Sequence, residues 1–288
     1  MGQIFSGSRI FQLEIPSGGV TNPLLKSDYG TGYYKDYGYG AYFEPQVDTP
    51  ESIYNYKFSF SKQLPPDLDL RHTTCTPYPP VSNQGSLGAC TAYAAVGAIE
   101  CRSRRAQYFP LWTLSPLYLY VKTLENAHHS TSSDAKTDAE TSSVILTDDG
   151  STILAVLKTA LDLGVSSEHL WPSNTLPWNT IPSATADLNA ARHKIIKIGH
   201  LEQDLEQFKT ALNAGFAIAL SFAVTNEGNI WMKSPELQYP SFVYPAPRGE
   251  QDINQIVGAH AVVIIGYNDK TELFTIRNSW GSKWGASG

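Results

Sequence analysis

Apolar residues in the first half of the chain are spaced as they are in buried helices. Three segments show apolar side chains around much of a helical circumference: 90–105, 114–126 and 152–164. Ser115 and Pro116 suit the cap and first turn of the second helix, and Gly164 suits the end of the third. Residues 127–143 are rich in Ser, Thr and Asp, which predicts a surface loop.

Apolar residues in the second half occur instead in short runs that contain many β-branched and aromatic side chains. Three such runs predict strands: 216–224, 259–269 and 272–280. A helix is expected over 201–215, and residues 268–271 suit a hairpin turn between the last two strands. Helices followed by strands predict an α+β fold with two lobes.

The first 62 residues differ from the rest of the chain. Six of the 16 tyrosines lie between Asp28 and Phe43, interspersed with glycines that oppose helix formation. We expect an extended leader over residues 1–62, either mobile or docked on the folded body. The body is expected over 63–288, with a helical lobe at about 63–168 and a β lobe at about 169–288.

Composition excludes several classes of protein. With 42% hydrophobic residues, 17% charged residues and three cysteines in 288, the chain is neither disordered nor a disulfide scaffold. The longest apolar run, Phe216 to Val224, is far shorter than the roughly 18 residues a membrane-spanning helix needs. A net charge of −6 argues against a nucleic-acid partner. The first residues lack the apolar core of a secretory signal, which leaves the cytoplasm or signal-independent export, as for a secreted bacterial factor.

Three short segments carry candidate chemistry. Cys90 opens a buried helix six residues after Gln84, His260 lies on an apolar strand, and Asn278 precedes Ser-Trp-Gly. Each is ordinary alone, because a buried cysteine is usually inert, a strand histidine is usually a satisfied core residue and asparagine often forms turns. The adjacent pair His128-His129 has no other metal-ligand residues at suitable spacing, so we expect a solvated pair and no metal site.

Together these segments resemble the papain-like cysteine proteases, from about Leu64 to Gly288. The order Cys90, His260, Asn278 matches the family, as does the glutamine six residues before the cysteine. The run NSWGSKWG fills the family's Asn-Ser-Trp-Gly-x-x-Trp-Gly motif, and LPPDLDLR is similar to its mature N-terminus. The short leader is most similar to the bacterial branch of the family.

The resemblance implies a papain-like fold, with a helical N-terminal lobe, an antiparallel β-sheet or barrel C-terminal lobe and an active-site cleft between them. Cys90 would attack a peptide carbonyl as a thiolate, which a helix N-terminus and the His260 imidazolium stabilise. Asn278 would orient His260, and Trp280 would shield their hydrogen bond. The Gln84 amide and the Cys90 N–H would form the oxyanion hole. No metal or organic cofactor is implied.

The resemblance also implies where a protein or peptide substrate would bind. Gly150 lies in the region whose backbone pairs with substrate, and Gly258 and Ala259 help to line the main specificity pocket. Trp280 counts with them among the substrate-binding candidates. We expect a monomer and a zymogen, in which part of the leader, the Tyr/Gly stretch, crosses the cleft and limits access.

Several positions depart from the family pattern. Leu87 stands where the family usually has a cysteine, so the disulfide to the segment near Asp149 should be absent. Thr91 replaces the usual tryptophan after the nucleophile, and the chain ends at Gly288, before further strands of the family. Cys75 and Cys101 could form one disulfide, for which sequence alone supplies no geometry.

The leading hypothesis is therefore a cysteine endopeptidase. Two alternatives remain open at this point. One is an acyl transferase or deamidating effector on the same fold, because a Cys-His-Asn triad can pass an acyl group to nucleophiles other than water. The other is a catalytically weak homologue that acts as a binding module.

Overall fold

The computed structural model describes residues 41–42, 53–55, 63–73, 78–105, 113–131, 146–174, 177–201, 203–233, 243–244 and 256–288. Within these ranges the strands are β1 (Ala41–Tyr42), β2 (Ile53–Asn55), β3 (Asp67–Asp69), β4 (Ser151–Thr152), β5 (Ile198–His200), β6 (Ile218–Thr225), β7 (Ile256–Asn268) and β8 (Leu273–Arg277). The α-helices are α1 (Cys90–Arg105), α2 (Pro116–Thr131), α3 (Ile153–Asp162), α4 (Ala184–Ala190), α5 (Leu205–Asn213) and α6 (Asn226–Lys233).

Helices α1, α2 and α3 pack around one apolar core. Tyr118 and Tyr120 of α2 are almost fully buried in it, together with small and branched residues of α1 and α3. Trp171, Ala186 and Ala190 belong to the same core, although they follow the expected lobe boundary at residue 168. The helical layer therefore includes α4, which comes later in the chain.

The main sheet is built around β7. This 13-residue strand pairs antiparallel with β3, β6 and β8, and the segment from Ala259 to Tyr267 is buried. Such a continuous buried run is expected of a strand covered on both faces. The α+β class is confirmed, with helices on one side and an antiparallel sheet on the other.

Helix α1 crosses β7 in close contact. Cys90 and Ala94 of the helix share an apolar cluster with Ala259, Ala261 and other small or branched residues of β7. At Gly97 a Cβ would approach Val263 Cγ2 to 3.2 Å, so a hydrogen there allows the backbones to approach. This approach brings the start of α1 to the part of β7 that contains His260.

The leader contributes two short parallel pairings to the body. Ala41 and Tyr42 of β1 pair with Ser151 and Thr152 of β4, and β2 pairs with β5. The rest of the Tyr/Gly stretch lies outside the described residues, as does Cys75 with its possible disulfide. Cys101 is a buried thiol.

Most expected elements are present, and the differences have local causes. Helix α1 has the predicted bounds, and Asn268 Oδ1 accepts the Thr271 N–H in the predicted hairpin turn. Helix α2 extends to Thr131, so the prediction that the surface loop begins at residue 127 is wrong; no glycine or proline interrupts the helix there. The short helices α4 and α6 were not predicted, because seven or eight residues give little periodicity.

Candidate active site

The loop before Cys90 is tied by its backbone to the segment that contains Asn278. Gln84 N–H donates to Ser279 O at 2.8 Å, and Gly281 N–H donates to Ser82 O at 2.9 Å. Gly85 adopts a φ of +61°, a left-handed conformation that suits glycine and turns the chain away from this pairing. Gln84 and Ser279 lie 195 residues apart in sequence, yet backbone hydrogen bonds join their two segments directly.

The Gln84 side chain is held at both ends of its amide. Its Oε1 accepts the Ser279 hydroxyl, and its Nε2 donates to Leu87 O at 2.7 Å. The side chain is buried, at 5% exposure. An amide nitrogen has two hydrogens, so donation to Leu87 is compatible with donation of the other to a reacting oxygen.

Cys90 is the first residue of α1 and has no exposed surface. The helix begins with the N–H groups of Ala92 and Tyr93 donating to Ala89 O at 2.9 and 3.1 Å. The positive end of a helix dipole favours a thiolate over a thiol at this position. Apolar packing below the residue holds the sulfur at the point where α1 meets β7.

The geometry around Asn278 defines the tautomer of His260. Asn278 Oδ1 accepts the backbone N–H of Ser279 at 2.8 Å, which identifies this atom as the amide oxygen. The same oxygen lies 2.8 Å from His260 Nε2, so Nε2 must carry the proton and donate it. The neutral ring therefore has its basic lone pair on Nδ1, the nitrogen that can take a proton.

Aromatic rings enclose His260. Trp280 stacks on the imidazole with centroids 4.6 Å apart, and Phe222, its partner across the β6–β7 pairing, meets it edge-on at 5.9 Å. Trp284 packs edge-on against Trp280 and donates its indole N–H to Met232 O. Burial in this apolar surround lowers the pKa of His260 to about 4, although the Asn278 hydrogen bond opposes the shift.

The expected substrate-binding residues fall in two places. Gly258 and Ala259 lie on β7 immediately before His260, opposite Val224 and Ala223 of β6. Gly150 has a φ of +77° and precedes β4, the strand that pairs with β1. Trp280 lies beside His260 rather than in an open groove, consistent with a shielding position.

Sequence reasoning missed three residues at this site. Phe222 contacts the imidazole, and Asp148 and Tyr120 connect the nucleophile loop to Gly150 through hydrogen bonds. The signal for Asp148 was its position in DDGS, where the family pattern has neighbouring glycines. No local pattern indicates Tyr120 or Phe222, because helix and strand packing alone brings them to the site.

Comparison with known proteins agrees with this arrangement. A family model described as papain family cysteine protease matches residues 173–288, which include His260 and Asn278. The chain is also 26% identical to xylellain, a cysteine protease from Xylella fastidiosa, with a TM-score of 0.69 over 88% of this chain and 89% of that one. The chain is thus similar to the papain family of cysteine proteases in sequence over residues 173–288 and in fold over most of its length.

Other papain-family relatives are more distant or longer. A peptidase C1-like protein of Acanthamoeba polyphaga mimivirus is 29% identical over 72% of this chain and 61% of its own length. The oryzain beta chain of Oryza sativa subsp. japonica is 25% identical over 81% of this chain and 43% of its own. The chain thus spans less than two thirds of these two relatives. Digestive procathepsin L 3 of Tenebrio molitor, at 19% identity and a TM-score of 0.57 over 88% of this chain and 69% of that one, shares the fold.

Two further observations apply to the described residues of the chain. Across its described ranges, no group of three or more His, Cys, Asp or Glu side chains is arranged to hold a metal ion. Among the helices in those ranges, none combines the length and the apolar character needed to cross a bilayer.

Proposed function

We propose that this chain is a cysteine endopeptidase that cleaves protein or peptide substrates through Cys90, His260 and Asn278. The observation that carries the proposal is the double use of Asn278 Oδ1, which holds the proton of His260 on Nε2. That tautomer leaves Nδ1 to accept a thiol proton, and Cys90 shares a cluster with both chain neighbours of His260. A positioned nucleophile with an oriented base is the signature of covalent catalysis.

The proposed reaction has two steps. The Cys90 sulfur attacks the peptide carbonyl carbon, and the oxyanion accepts N–H bonds from the Cys90 backbone and the Gln84 amide. His260, protonated by the thiol, donates that proton to the leaving amine and a thioester remains. Water then attacks the thioester carbon while His260 takes a proton from it. The C–S bond breaks, and His260 returns that proton to the Cys90 sulfur, which restores the thiol and the neutral imidazole.

Burial of His260 bears on the charge state of the resting site. A pKa of about 4 corresponds to a neutral His260 imidazole at pH 7 in the buried arrangement. A thiolate beside the ring, or water entering the cleft, would favour the imidazolium. We therefore expect the reactive ion pair to form when the site opens.

Peptide cleavage and thiol labelling test the assignment together. We expect iodoacetamide or an epoxide to label Cys90, and a peptide library to yield defined cleavage products. Cys90→Ala should lose both, with hydrolysis reduced on the order of 10⁶-fold, as for loss of a triad nucleophile. Labelling without cleavage, but with acyl transfer to an added amine or deamidation of glutamine, would favour the transferase alternative. Neither labelling nor turnover would favour a binding homologue.

We also infer that residues 1–62 limit access to the site. Strand β1 pairs in parallel with β4, directly after Gly150, and lies against β7, which carries His260. A substrate strand that used the backbone near Gly150 would compete with β1 for the same edge. Complete burial of Cys90 and His260 is consistent with this competition.

Two variants test the role of the leader. A chain that begins near Leu64 should hydrolyse peptides faster than the full chain, as should full-length Tyr42→Pro, because proline removes an N–H and disfavours strand pairing. Tyr54→Pro, which disturbs β2 and its pairing with β5, is the matched control and should activate less. Equal rates for all four chains at low and at saturating substrate would contradict the inference.

A further inference from the structure

A hydrogen-bonded connection joins the nucleophile loop to helix α2 and to Gly150. The Asp148 carboxylate accepts the Gly88 N–H at 3.0 and 3.1 Å, one distance to each oxygen. Its Oδ1 also accepts the Tyr120 hydroxyl at 2.6 Å, and that hydroxyl oxygen accepts the Gly150 N–H at 3.0 Å. We call these four residues, Gly88, Asp148, Tyr120 and Gly150, the Asp148 link.

The link acts on a peptide group that also contacts the oxyanion donor. The N–H of Gly88 and the C=O of Leu87 belong to one planar peptide unit. Its N–H points to Asp148, and its carbonyl accepts the Gln84 Nε2 at 2.7 Å. Rotation of this peptide would break both contacts, so the carboxylate that holds the N–H also orients the carbonyl that holds Gln84.

Tyr120 is the donor in its hydrogen bond to Asp148. Burial first, and then the neighbouring Asp148 carboxylate, raises the pKa of Tyr120 well above its usual range, so the phenol keeps its proton and donates it. Tyr120 has no exposed surface, and its ring is fixed in the helical core. The carboxylate is therefore anchored to the buried helical core.

We propose that Asp148 and Tyr120 are positioning residues that orient the Leu87–Gly88 peptide and thereby the Gln84 and Cys90 donors of the oxyanion hole. This rests on the proposed peptidase function. The connection is noncovalent and spans from Leu87–Gly88 to the segment around Asp149, the two places that the resemblance links by a disulfide. It needs no oxidation, so activity should be the same with and without excess reductant once Cys90 is reduced.

The chain supplies a matched pair of tyrosine variants. Tyr118 lies two residues earlier in α2 and is buried to the same extent as Tyr120. Its hydroxyl donates to Asp187 at 2.7 Å rather than to Asp148. Tyr120→Phe should lower kcat roughly 10- to 100-fold, since a hydrogen bond to a charged group is lost. It should also raise KM, because Gly150 loses its acceptor. Tyr118→Phe should leave both within about twofold while costing similar stability.

A second pair separates position from charge. Asp148→Ala should lower kcat at least as much as Tyr120→Phe, with Asp148→Asn intermediate because its amide oxygen still accepts one N–H. Asp149→Asn changes the same charge one residue on, where the carboxylate accepts the Thr147 hydroxyl of its own loop, and should keep kcat within about twofold. Thermal unfolding of each variant shows whether it folds. If Asp148→Ala does not fold, Tyr120→Phe and Asp148→Asn test the proposal in its place.

Two measurements on the full chain report the link without peptide turnover. Hydrogen exchange at the Gly88 amide should be slow in the parent and accelerate in Asp148→Ala. Alkylation of the fully buried Cys90 needs local opening, so it should become at least about threefold faster. Unchanged Gly88 exchange, or accelerated exchange with unchanged kcat, overturns the proposal. If the parent cleaves no peptide, the proposed function fails, and the alkylation rate alone then decides the positioning role.

Discussion

The proposed nucleophile and the proposed base of this site are held by different forces. Cys90 is placed by apolar packing, at the end of a helix that is buried on almost every side. His260 is placed by a hydrogen bond to Asn278 and by a stacked ring, Trp280. Cys90 needs only the correct position, whereas His260 must also present Nδ1 as its basic nitrogen.

This difference follows from the chemistry of the two groups. A sulfur attached through one rotatable bond attacks from many angles, so nondirectional packing of its backbone is sufficient. An imidazole works only with the correct tautomer, which needs directional bonds. Gln84 connects the two halves, because it precedes Cys90 in the chain and bonds Ser279 beside Asn278.

Among the tests of this comparison, the largest effect is expected from breaking the connection through Gln84. Gln84→Ala removes a proposed oxyanion donor and should lower kcat by about 10²- to 10³-fold. Ser279→Ala removes only the bond that holds the other end of the amide, and should cost roughly 0.5–1.5 kcal/mol of transition-state stabilisation, or up to about tenfold. Steady-state kinetics measure both. Equal losses in the two variants would show that Gln84 acts through its position rather than as a donor.

The next largest effect is the pH dependence of the free energy of unfolding that burial of His260 causes. The pKa of His260 falls to about 4 in the folded chain, so the unfolded chain binds a proton that the folded chain does not. Its stabilising contribution is full above the unfolded value, near pH 6.5, and is lost as the pH falls toward 4.

Denaturant unfolding of the parent and of His260→Gln at a series of pH values isolates this contribution. The free energy of unfolding of the parent, minus that of His260→Gln, should fall by roughly 3 kcal/mol between pH 7 and pH 4. A difference between parent and variant that does not change with pH would mean that His260 is not held neutral by burial.

The smallest effect concerns the surface where the two halves meet. Gly97→Val should lower the free energy of unfolding by about 1–3 kcal/mol, since added methyl groups meet Val263 across a gap with little space. Ala98→Val, one residue on and only half-buried, is the control and should cost less. Equal losses in the free energy of unfolding for the two variants would mean that the contact between α1 and β7 accepts a larger side chain as readily as position 98 does.

Local patterns in the sequence were sufficient for much of the helical half and for naming the candidate reactive residues. Helix α1 has its predicted bounds because its apolar residues follow a helical spacing over roughly four turns and no proline interrupts them. Gly164, expected to end α3, adopts a φ of +85° just after the helix. The order of Cys90, His260 and Asn278 pointed to the family before any geometry was known.

Long-range packing decided the rest. The bond between Tyr120 and Asp148, the ring of Phe222 against His260 and the pairing of β1 with β4 join residues far apart in sequence. No local spacing encodes them, because each depends on how whole helices and strands dock. By itself the sequence indicated the candidate residues for the chemistry and most of the longer helices. The tertiary structure decided how those residues are oriented, since a tautomer, a peptide plane or a shielded ring is defined only by neighbours that folding brings together.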